Sequence, residues 1–170
     1  MRVIIRKPKR SEYERIVIVV NSEFDLYKKV YHRKYLDEVG IGRFSLKDLF
    51  EGEKTRKYFI ALIGTKIVGF ISWYIKPNNV LWISMIQVLP KYYQRGVGRK
   101  LFEKVEKYAL KNKVIAIAAE TQKKATWVYR FNKSLGYKIL SRRELSKKPF
   151  RNTLKNSPVK TTYVWGKVLK

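Results

Sequence analysis

The segment from Val88 to Arg99, which reads VLPKYYQRGVGR, constrains the fold of this chain more than any other segment does. It follows an apolar run, Val80–Val88, that is typical of a β-strand, and it precedes an amphipathic run, 99–110, that is typical of an α-helix. Glycine at positions 96 and 98 permits a tight turn and a close approach of the backbone to a ligand. The amides that open such a helix point at one spot, where the helix dipole favours negative charge. The segment therefore predicts an anion cradle, suited to a phosphate group.

Length and composition narrow the class of protein. A chain of 170 residues with 45% apolar and 14% aromatic side chains is expected to fold as one globular domain, 1–170. The absence of cysteine excludes disulfides, thiolate metal sites and a cysteine nucleophile. A single histidine, His32, cannot build a multi-histidine metal site, so we expect no metal. No Gly-x-Ser-x-Gly segment supports a serine hydrolase.

The net charge of +26 arises from 39 basic and 13 acidic side chains. Such a field attracts nucleic acid, acidic proteins and phosphorylated cofactors. The alternative is a lysine-rich, thermophile-like surface without a dedicated partner, and both interpretations remain open. No apolar run approaches the length of a membrane span, and the apolar part of the N-terminus is too short for a signal peptide. We therefore expect a cytoplasmic protein with no membrane partner.

Hydrophobic periodicity and turn residues predict the order of the elements. Strands are expected at 2–6, 58–63, 66–75, 80–88, 114–119, 137–142 and 161–168. Helices are expected from Ser11 to Val20, from Asp25 to Val39, from the glycine turn to Asn112, and from Lys124 to Leu135. Ser11-x-x-Glu14 resembles a capping box, Ser45 a cap of a short turn, and Gly136 a C-cap. The strand at 114–119 should run parallel to Val80–Val88.

This order and two motifs resemble the GNAT superfamily of acyl-CoA-dependent N-acetyltransferases over nearly the whole chain. Val88-x-Pro90 followed by Gln94–Arg99 is similar to the family's acetyl-CoA motif, Gln/Arg-x-x-Gly-x-Gly/Ala. The segment 131–137, FNKSLGY, is similar to the helix end "Phe-Tyr-Glu-Lys-Leu-Gly-Phe". The resemblance implies an α/β protein of α+β type. Its central sheet would be mixed but mostly antiparallel, splayed at the acetyl-CoA site and flanked by helices.

The resemblance also implies acetyl-CoA as the acyl donor and no metal. Pantetheine would pair with the backbone of Ile86, Gln87 and Val88, and Asn132 would hydrogen-bond the cofactor. The pyrophosphate would lie on the turn amides of Gln94, Arg95, Gly96, Val97, Gly98 and Arg99. Arg95, Arg99 and Lys100 would add charge-assisted bonds, although a solvated basic helix start is an equally good interpretation. Tyr93 stands at the first motif position and has no donor fork, so we expect weakened rather than lost binding.

Acetyl transfer needs a neutral amine, a polarised carbonyl and a protonated leaving thiolate. The resemblance assigns polarisation to the backbone amide of Ile86. The expected strand carboxylate is missing, because Trp82 and Ser84 occupy the corresponding places. Glu120 is the alternative base; it also fits an ion pair with Lys123 or Lys124, and a water chain could replace it. The family's tyrosine acid falls at Asn132, so Tyr129, one helical turn earlier, is the candidate acid or else a packed aromatic.

The acceptor is not identified by the sequence. Tyr27, Tyr31, Tyr35 and His32 would line its site by resemblance or would be ordinary core residues. Phe150, Arg151 and the basic loop to Lys160 would grip an acidic macromolecule or would simply be solvated, and Tyr163 and Trp165 would face the acceptor.

The leading hypothesis is acetyl transfer to a primary amine: a protein N-terminus, a lysine or a small amine. The charge slightly favours an acidic protein or nucleic-acid complex. The alternative is a non-catalytic module that binds CoA or nucleic acid. Oligomeric state is not indicated.

Overall fold

The computed structural model describes residues 2–24, 43–151 and 162–169. Seven strands form one sheet in the order β1-β2-β3-β4-β5-β7-β6. Their bounds are β1 Ile4–Arg6, β2 Lys57–Ile63, β3 Lys66–Ile75, β4 Val80–Val88, β5 Ala116–Gln122, β6 Lys138–Ile139 and β7 Thr162–Val168. β4 and β5 are parallel, whereas the pairs β1–β2, β2–β3, β5–β7 and β6–β7 are antiparallel. This mixed sheet with flanking helices confirms the predicted fold class.

Five α-helices accompany the sheet in the described ranges. They are α1 Tyr13–Asn21, α2 Leu46–Gly52, α3 Val97–Lys111, α4 Trp127–Ser134 and α5 Arg142–Leu145. Short 3-10 helices at Arg10–Glu12 and Pro90–Tyr92 precede α1 and the glycine turn. No helix in the described part of the chain is long and apolar enough to span a membrane. The predicted helix 25–39, with Tyr27, Tyr31, His32 and Tyr35, lies outside the described residues.

The chain divides into two compact units, each with its own core. The first comprises Met1–Trp73 and Met85–Val105, and the second comprises Tyr74–Ser84 and Glu106–Lys170. In the first unit, α1 buries Ile16, Val19 and Val20 in a cluster that also contains Leu49 of α2 and Phe70 of β3. The 3.6-residue spacing of the apolar positions of α1 therefore serves this core.

Helix α2 begins as its sequence predicts. Ser45 is its N-cap: the Ser45 hydroxyl accepts from the Asp48 amide, and the Ser45 amide donates to the Asp48 carboxylate at 2.7 Å. Side chains thereby occupy two backbone donors that the helix start leaves unpaired. The predicted cap is confirmed.

The predicted capping box at Ser11-x-x-Glu14 is wrong. Glu12, not Glu14, is the buried carboxylate, and it accepts from the Lys9 amide at 2.8 Å. Arg6 of β1 grips the same carboxylate with two guanidinium bonds of 2.6 and 2.7 Å. This contact joins a strand to the start of the helix and decides which glutamate points inward. The local spacing of residues 11–14 does not predict such a contact.

In the second unit, β5 lies between β4 and β7 and pairs with β7 over seven residues, from Ala116↔Val168 to Gln122↔Thr162. Phe150 and Leu140 pack on Gly166 of β7 so closely that a Cβ there would lie within 2.9 Å of both side chains. Asn78 donates to the carbonyls of Pro149 and Arg151 at 2.9 and 3.1 Å. These bonds fix the segment that carries Phe150, which is 4% exposed. The interpretation of Phe150 as part of an open basic loop is therefore wrong.

Three further predicted elements have different bounds. The strand expected at 114–119 is β5, which runs from Ala116 to Gln122. The expected strand 137–142 shortens to β6, because Ser141 and Glu144 form a capping box that starts α5. Helix α4 begins at Trp127 rather than Lys124. Gly136 has φ +80° directly beyond α4, and its amide donates to the Lys133 carbonyl, which confirms the predicted C-cap.

The Arg6–Glu12 pair should make stability acid-sensitive. Hydrogen bonding from Arg6 lowers the pKa of Glu12 to about 2. A depressed pKa stabilises the fold above the unfolded value, near 4.5, and the benefit disappears as the pH falls toward 2. We expect Glu12→Gln to lower the free energy of unfolding by about 2 kcal/mol at neutral pH. Denaturant unfolding of both proteins at about pH 7 and about pH 3 measures this.

Glu14→Gln is the matched control, because Glu14 lies on the exposed side of α1. It should change stability by less than about 0.5 kcal/mol. An equal loss for Glu12→Gln at both pH values would contradict the assignment to an ionised pair.

Candidate cofactor-binding site

The glycine turn of the first unit leads from β4 into α3 through two left-handed residues. Gln94 has φ +59° and Gly96 has φ +76°, and α3 begins at the next residue, Val97. The first intrahelical bond runs from the Lys100 amide to the Gly96 carbonyl at 3.0 Å. The amides of Val97, Gly98 and Arg99 therefore precede the helical ladder, as the donors at a helix start do. Gly98 lies inside α3, so of the two glycines in the motif only Gly96 has a positive φ.

A glycine on β3 fixes the start of α3. A Cβ at Gly69 would lie 3.1 Å from Val97 Cγ1 and 3.1 Å from Leu101 Cδ1. Both of these α3 side chains are fully buried, at 1% and 0% exposure. Because the first turn of α3 is packed against bare backbone, the amides of this turn are held in place by the core.

The flanks of the turn are basic. Arg95, Arg99 and Lys100 are exposed, and the first turn of α3 contains no acidic residue. The Arg95 guanidinium lies 5.8 Å from the centre of the Tyr92 ring. Positive side chains and the positive end of the helix dipole coincide here, which suits a phosphate ester. The structure thus brings together the predicted residues from Gln94 to Lys100.

The Tyr93 side chain, at the first position of the motif, turns back toward β4. It does not point outward as a side chain that donates to phosphate would. Its hydroxyl lies 3.4 Å from the side-chain amide of Gln87, whose nitrogen also donates to the Val88 carbonyl at 3.1 Å and lies 3.5 Å from the Ser22 hydroxyl. Burial raises the pKa of Tyr93. Gln87 is 4% exposed. The sequence prediction for Gln87 concerned its backbone alone; a long polar side chain in a strand that is otherwise mostly apolar was the available signal.

Some backbone groups at the end of β4 near the turn already form hydrogen bonds within the protein. The Val88 carbonyl accepts from Gln87, and the Leu89 amide donates to the Val68 carbonyl of β3 at 2.9 Å. Ile86, Gln87 and Val88 keep their assignment to pantetheine as a prediction. Ile86 and Val88 are half-buried, so both lie near the surface of the first unit.

In the second unit, the parallel ladder between β4 and β5 runs from Val80↔Ala116 to Ile83↔Ala119, and β5 continues beyond it to Gln122. Glu120 lies in this continuation and is half-buried. Its carboxylate accepts from the Thr162 hydroxyl at 2.5 Å. The structure therefore gives Glu120 a hydroxyl partner on β7, in addition to the ion pairs with Lys123 or Lys124 that the sequence suggested.

Tyr129 of α4 lies edge-on to two aromatic rings of β7. Its centroid is 5.4 Å from that of Tyr163 and 5.3 Å from that of Trp165, with interplanar angles of 90° and 89°. Trp165 is fully buried at 0% exposure, so it packs against α4 and does not line an open acceptor site. This geometry fits the packed-aromatic interpretation of Tyr129 and leaves its role as an acid a prediction.

Asn132, at the family's tyrosine position, is buried at 4% exposure on the inner side of α4. Its carbonyl accepts from the amides of Leu135 and Tyr137 at 3.1 and 3.0 Å, which closes the helix end around Gly136. Within residues 2–24, 43–151 and 162–169, no group of three or more histidine, aspartate or glutamate side chains could hold a metal ion. His32 lies outside those ranges.

Comparison with known proteins identifies the family. The model of the acetyltransferase (GNAT) family matches residues 18–137. No curated protein matches the chain.

The structure resembles several solved acetyltransferases. PaiA N-acetyltransferase from Thermoplasma acidophilum, solved with coenzyme A, has a TM-score of 0.76 at 16% identity, with 99% of this chain and 100% of that one covered. An acetyltransferase from Streptococcus agalactiae has 0.73 at 22% identity, with 98% of each chain covered. The ribosomal-protein-S18-alanine N-acetyltransferase from Escherichia coli has 0.69 at 13%, with 99% and 95% covered. At these identities the likeness concerns the fold. The match of the family model across most of the chain, together with this fold, shows that the protein belongs to the GNAT acetyltransferase family.

Proposed function

We propose that the protein transfers the acetyl group of acetyl-CoA to a primary amine. The observation that carries this proposal is the turn from β4 into α3, where Gly96 at φ +76° directly precedes the helix-start amides, and Arg95, Arg99 and Lys100 are exposed around them. Such a turn binds a pyrophosphate through backbone donors and the helix dipole. The solved complexes of PaiA with coenzyme A and of a Bacillus anthracis acetyltransferase with acetyl-CoA support the choice of ligand.

The transfer is a direct displacement on the thioester carbonyl. The neutral amine forms the new C–N bond, the C–S bond breaks, and the thiolate takes a proton. The Ile86 amide is the proposed donor to the carbonyl oxygen, where negative charge develops. A lysine amine, with a pKa of about 10.4, needs a base more than an α-amine of about 8 does. Glu120 is the proposed base, and Tyr129 is the proposed acid that protonates the leaving thiolate.

Different observations support the proposed roles of Glu120 as base and Tyr129 as acid. Glu120 is a half-buried carboxylate that accepts from the Thr162 hydroxyl, and an ionised carboxylate has the acceptor chemistry that takes a proton from an amine or a water. The Tyr129 ring is held by Tyr163 and Trp165, which fixes its orientation without occupying its hydroxyl. Asn132 cannot give up a proton, which is why the acid is assigned to Tyr129.

The second candidate function is a non-catalytic module that binds CoA. The observation favouring it is the replacement of the usual groups: β4 carries no carboxylate, and buried Asn132 stands at the tyrosine position. If Asn132 replaces a lost acid, Asn132→Tyr should raise the acetylation rate. Release of free CoA in the presence of an amine panel, above the hydrolysis rate, separates the enzyme from the module.

Titration calorimetry of acetyl-CoA at moderate salt tests the cradle, with ATP as the control polyanion. We expect saturable one-site binding of acetyl-CoA, much tighter than that of ATP. Equal and strongly salt-dependent binding of both would show that only the net charge attracts the ligand, and would exclude the proposed cofactor site.

Gly96→Ala should weaken acetyl-CoA binding by roughly tenfold. An alanine at φ +76° costs about 1–2 kcal/mol, and relaxing that strain moves the turn amides away from the phosphates. No atom lies within 4 Å of a Cβ built at this position, so backbone strain and not a clash would be responsible. Calorimetry measures the change.

Gly64→Ala is the matched control. Gly64 has φ +59° in the β2–β3 turn, and a Cβ there also meets nothing within 4 Å. It should cost similar stability and leave acetyl-CoA affinity unchanged. Equal loss of affinity in both variants would exclude a specific role for the Gly96 turn.

Tyr129→Phe should lower kcat by at least about 100-fold, because it removes the proton donor and keeps the ring contacts with β7. The KM for acetyl-CoA should change little. Steady-state kinetics with the best amine of the panel measures both constants. Tyr163→Phe is the control and should keep kcat near the wild-type value. An unchanged kcat in Tyr129→Phe would make Tyr129 a packing residue only.

A further inference from the structure

The outer side of α4, in the second unit, combines an exposed tryptophan with lysine and arginine side chains. Trp127 is 50% exposed, although tryptophan is usually largely buried. Arg130 and Lys133 follow it at intervals of three residues and are exposed, so they lie on the same side of the helix. Lys123 and Lys124, just before α4, are exposed as well. We call these five residues the α4 stripe.

The sequence around the α4 stripe is strongly basic. The sequence contains no acidic residue between Glu120 and Glu144, whereas the same interval carries seven basic residues: Lys123, Lys124, Arg130, Lys133, Lys138, Arg142 and Arg143. Of the two bordering glutamates, Glu120 accepts from the Thr162 hydroxyl, and Glu144 pairs with Lys138, which lies outside the stripe. Glu106 of the same unit binds Lys167 at 2.9 Å. The stripe therefore lies in a stretch of strongly positive local charge, which attracts a polyanion.

We propose that the α4 stripe binds single-stranded nucleic acid. Trp127 would stack on an unpaired base, and Lys123, Lys124, Arg130 and Lys133 would contact the flanking phosphates. Proteins that bind single strands combine these two elements, aromatic stacking platforms and cations that follow the backbone. A duplex offers its phosphates but no free base face to a side chain, so the exposed ring favours a single strand. This activity goes beyond acetyl transfer and does not depend on it.

The pattern of α4 argues against a lipid surface. A helix that lies in a membrane interface exposes a broad apolar face. In α4, the side chains of Val128, Tyr129 and Phe131 are half-buried and Asn132 is buried, so Trp127 is the single large apolar group on the exposed side of this helix. An acidic protein would satisfy the cations but gives no reason for a flat, half-exposed indole. Both of these partners become outcomes of the test.

Tryptophan fluorescence gives a direct readout. The four tryptophans are Trp73, Trp82, Trp127 and Trp165, and all except Trp127 are at most 9% exposed. Stacking of a base should therefore quench the emission of Trp127 alone. The probe is an oligouridylate of about 12 nucleotides, titrated at moderate salt. We expect saturable quenching that disappears in Trp127→Phe, and binding, followed by anisotropy of the labelled oligonucleotide, that weakens roughly tenfold in Trp127→Ala.

Paired charge reversals separate the stripe from the overall field of the protein. Arg130→Glu with Lys133→Glu should weaken oligouridylate binding by at least about 100-fold and reduce its salt dependence. Lys7→Glu with Lys66→Glu is the control, because it makes the same change in net charge at exposed positions of the first unit. Equal losses in the two double variants, or no quenching in the wild type, would overturn the proposal.

Two further binding measurements test whether the stripe instead binds one of the other partners or belongs to the cofactor site. Polyglutamate and phosphatidylserine vesicles are the probes for the other two partners. If either bound as tightly as the oligouridylate, and if Trp127→Ala weakened none of these interactions, nucleic-acid binding would be overturned. Acetyl-CoA affinity should be unchanged in Trp127→Ala and in the Arg130/Lys133 variant. Loss of acetyl-CoA affinity in these variants would assign the stripe to the cofactor and refute the proposal. A protein that binds oligouridylate but transfers no acetyl group would refute only the proposed function.

Discussion

The proposed cofactor-binding turn depends on one steric condition, the close approach of α3 to β3 at Gly69. Val97 and Leu101 are packed against the bare backbone of this glycine, with no room for a methyl group at ordinary contact distance. The helix start cannot slide along the strand without opening a cavity or causing a clash, since interiors are close-packed. The same packing therefore holds the left-handed turn at Gly96 and the helix-start amides that follow it in place. A backbone ligand site thereby obtains its rigidity from apolar packing beneath it.

Most of the fold could be predicted because its signals are local. Apolar runs of strand length gave β2, β3 and β4 to within one residue, and the glycine at 136 gave the end of α4. The errors arose where a distant partner or a competing local pattern decides the outcome. Glu12 replaces Glu14 as the buried carboxylate because Arg6 reaches it from β1. The Ser141–Glu144 capping box ends the expected strand and starts α5, although the apolar alternation before it favoured a longer strand.

The candidate site divides in the same way. The turn from Gln94 to Lys100 could be predicted because glycine, charge and a helix start lie together in the sequence. The side-chain contacts of Gln87 could not be predicted. One partner, Tyr93, approaches it only because the turn folds back, and the other, Ser22, lies 65 residues earlier in the chain. Tyr129 and Glu120 likewise acquire partners on β7, which is more than 30 residues away in the chain. Sequence spacing can place a residue on a face of a helix or a strand. It cannot give the partner, and the partner decides whether a tyrosine packs or reacts.

Phe150 makes the stretch after β6 part of the core rather than a surface connection. It covers Gly166, and Asn78 holds the carbonyls on either side of it. The distance along the chain from Leu140 to Phe150 is therefore set by packing, since both side chains touch the same glycine. Insertions and deletions in this stretch would be selected against during divergence, as they are in a strand and unlike in most loops. Among divergent relatives that keep this packing, the number of residues between Leu140 and Phe150 should therefore stay constant.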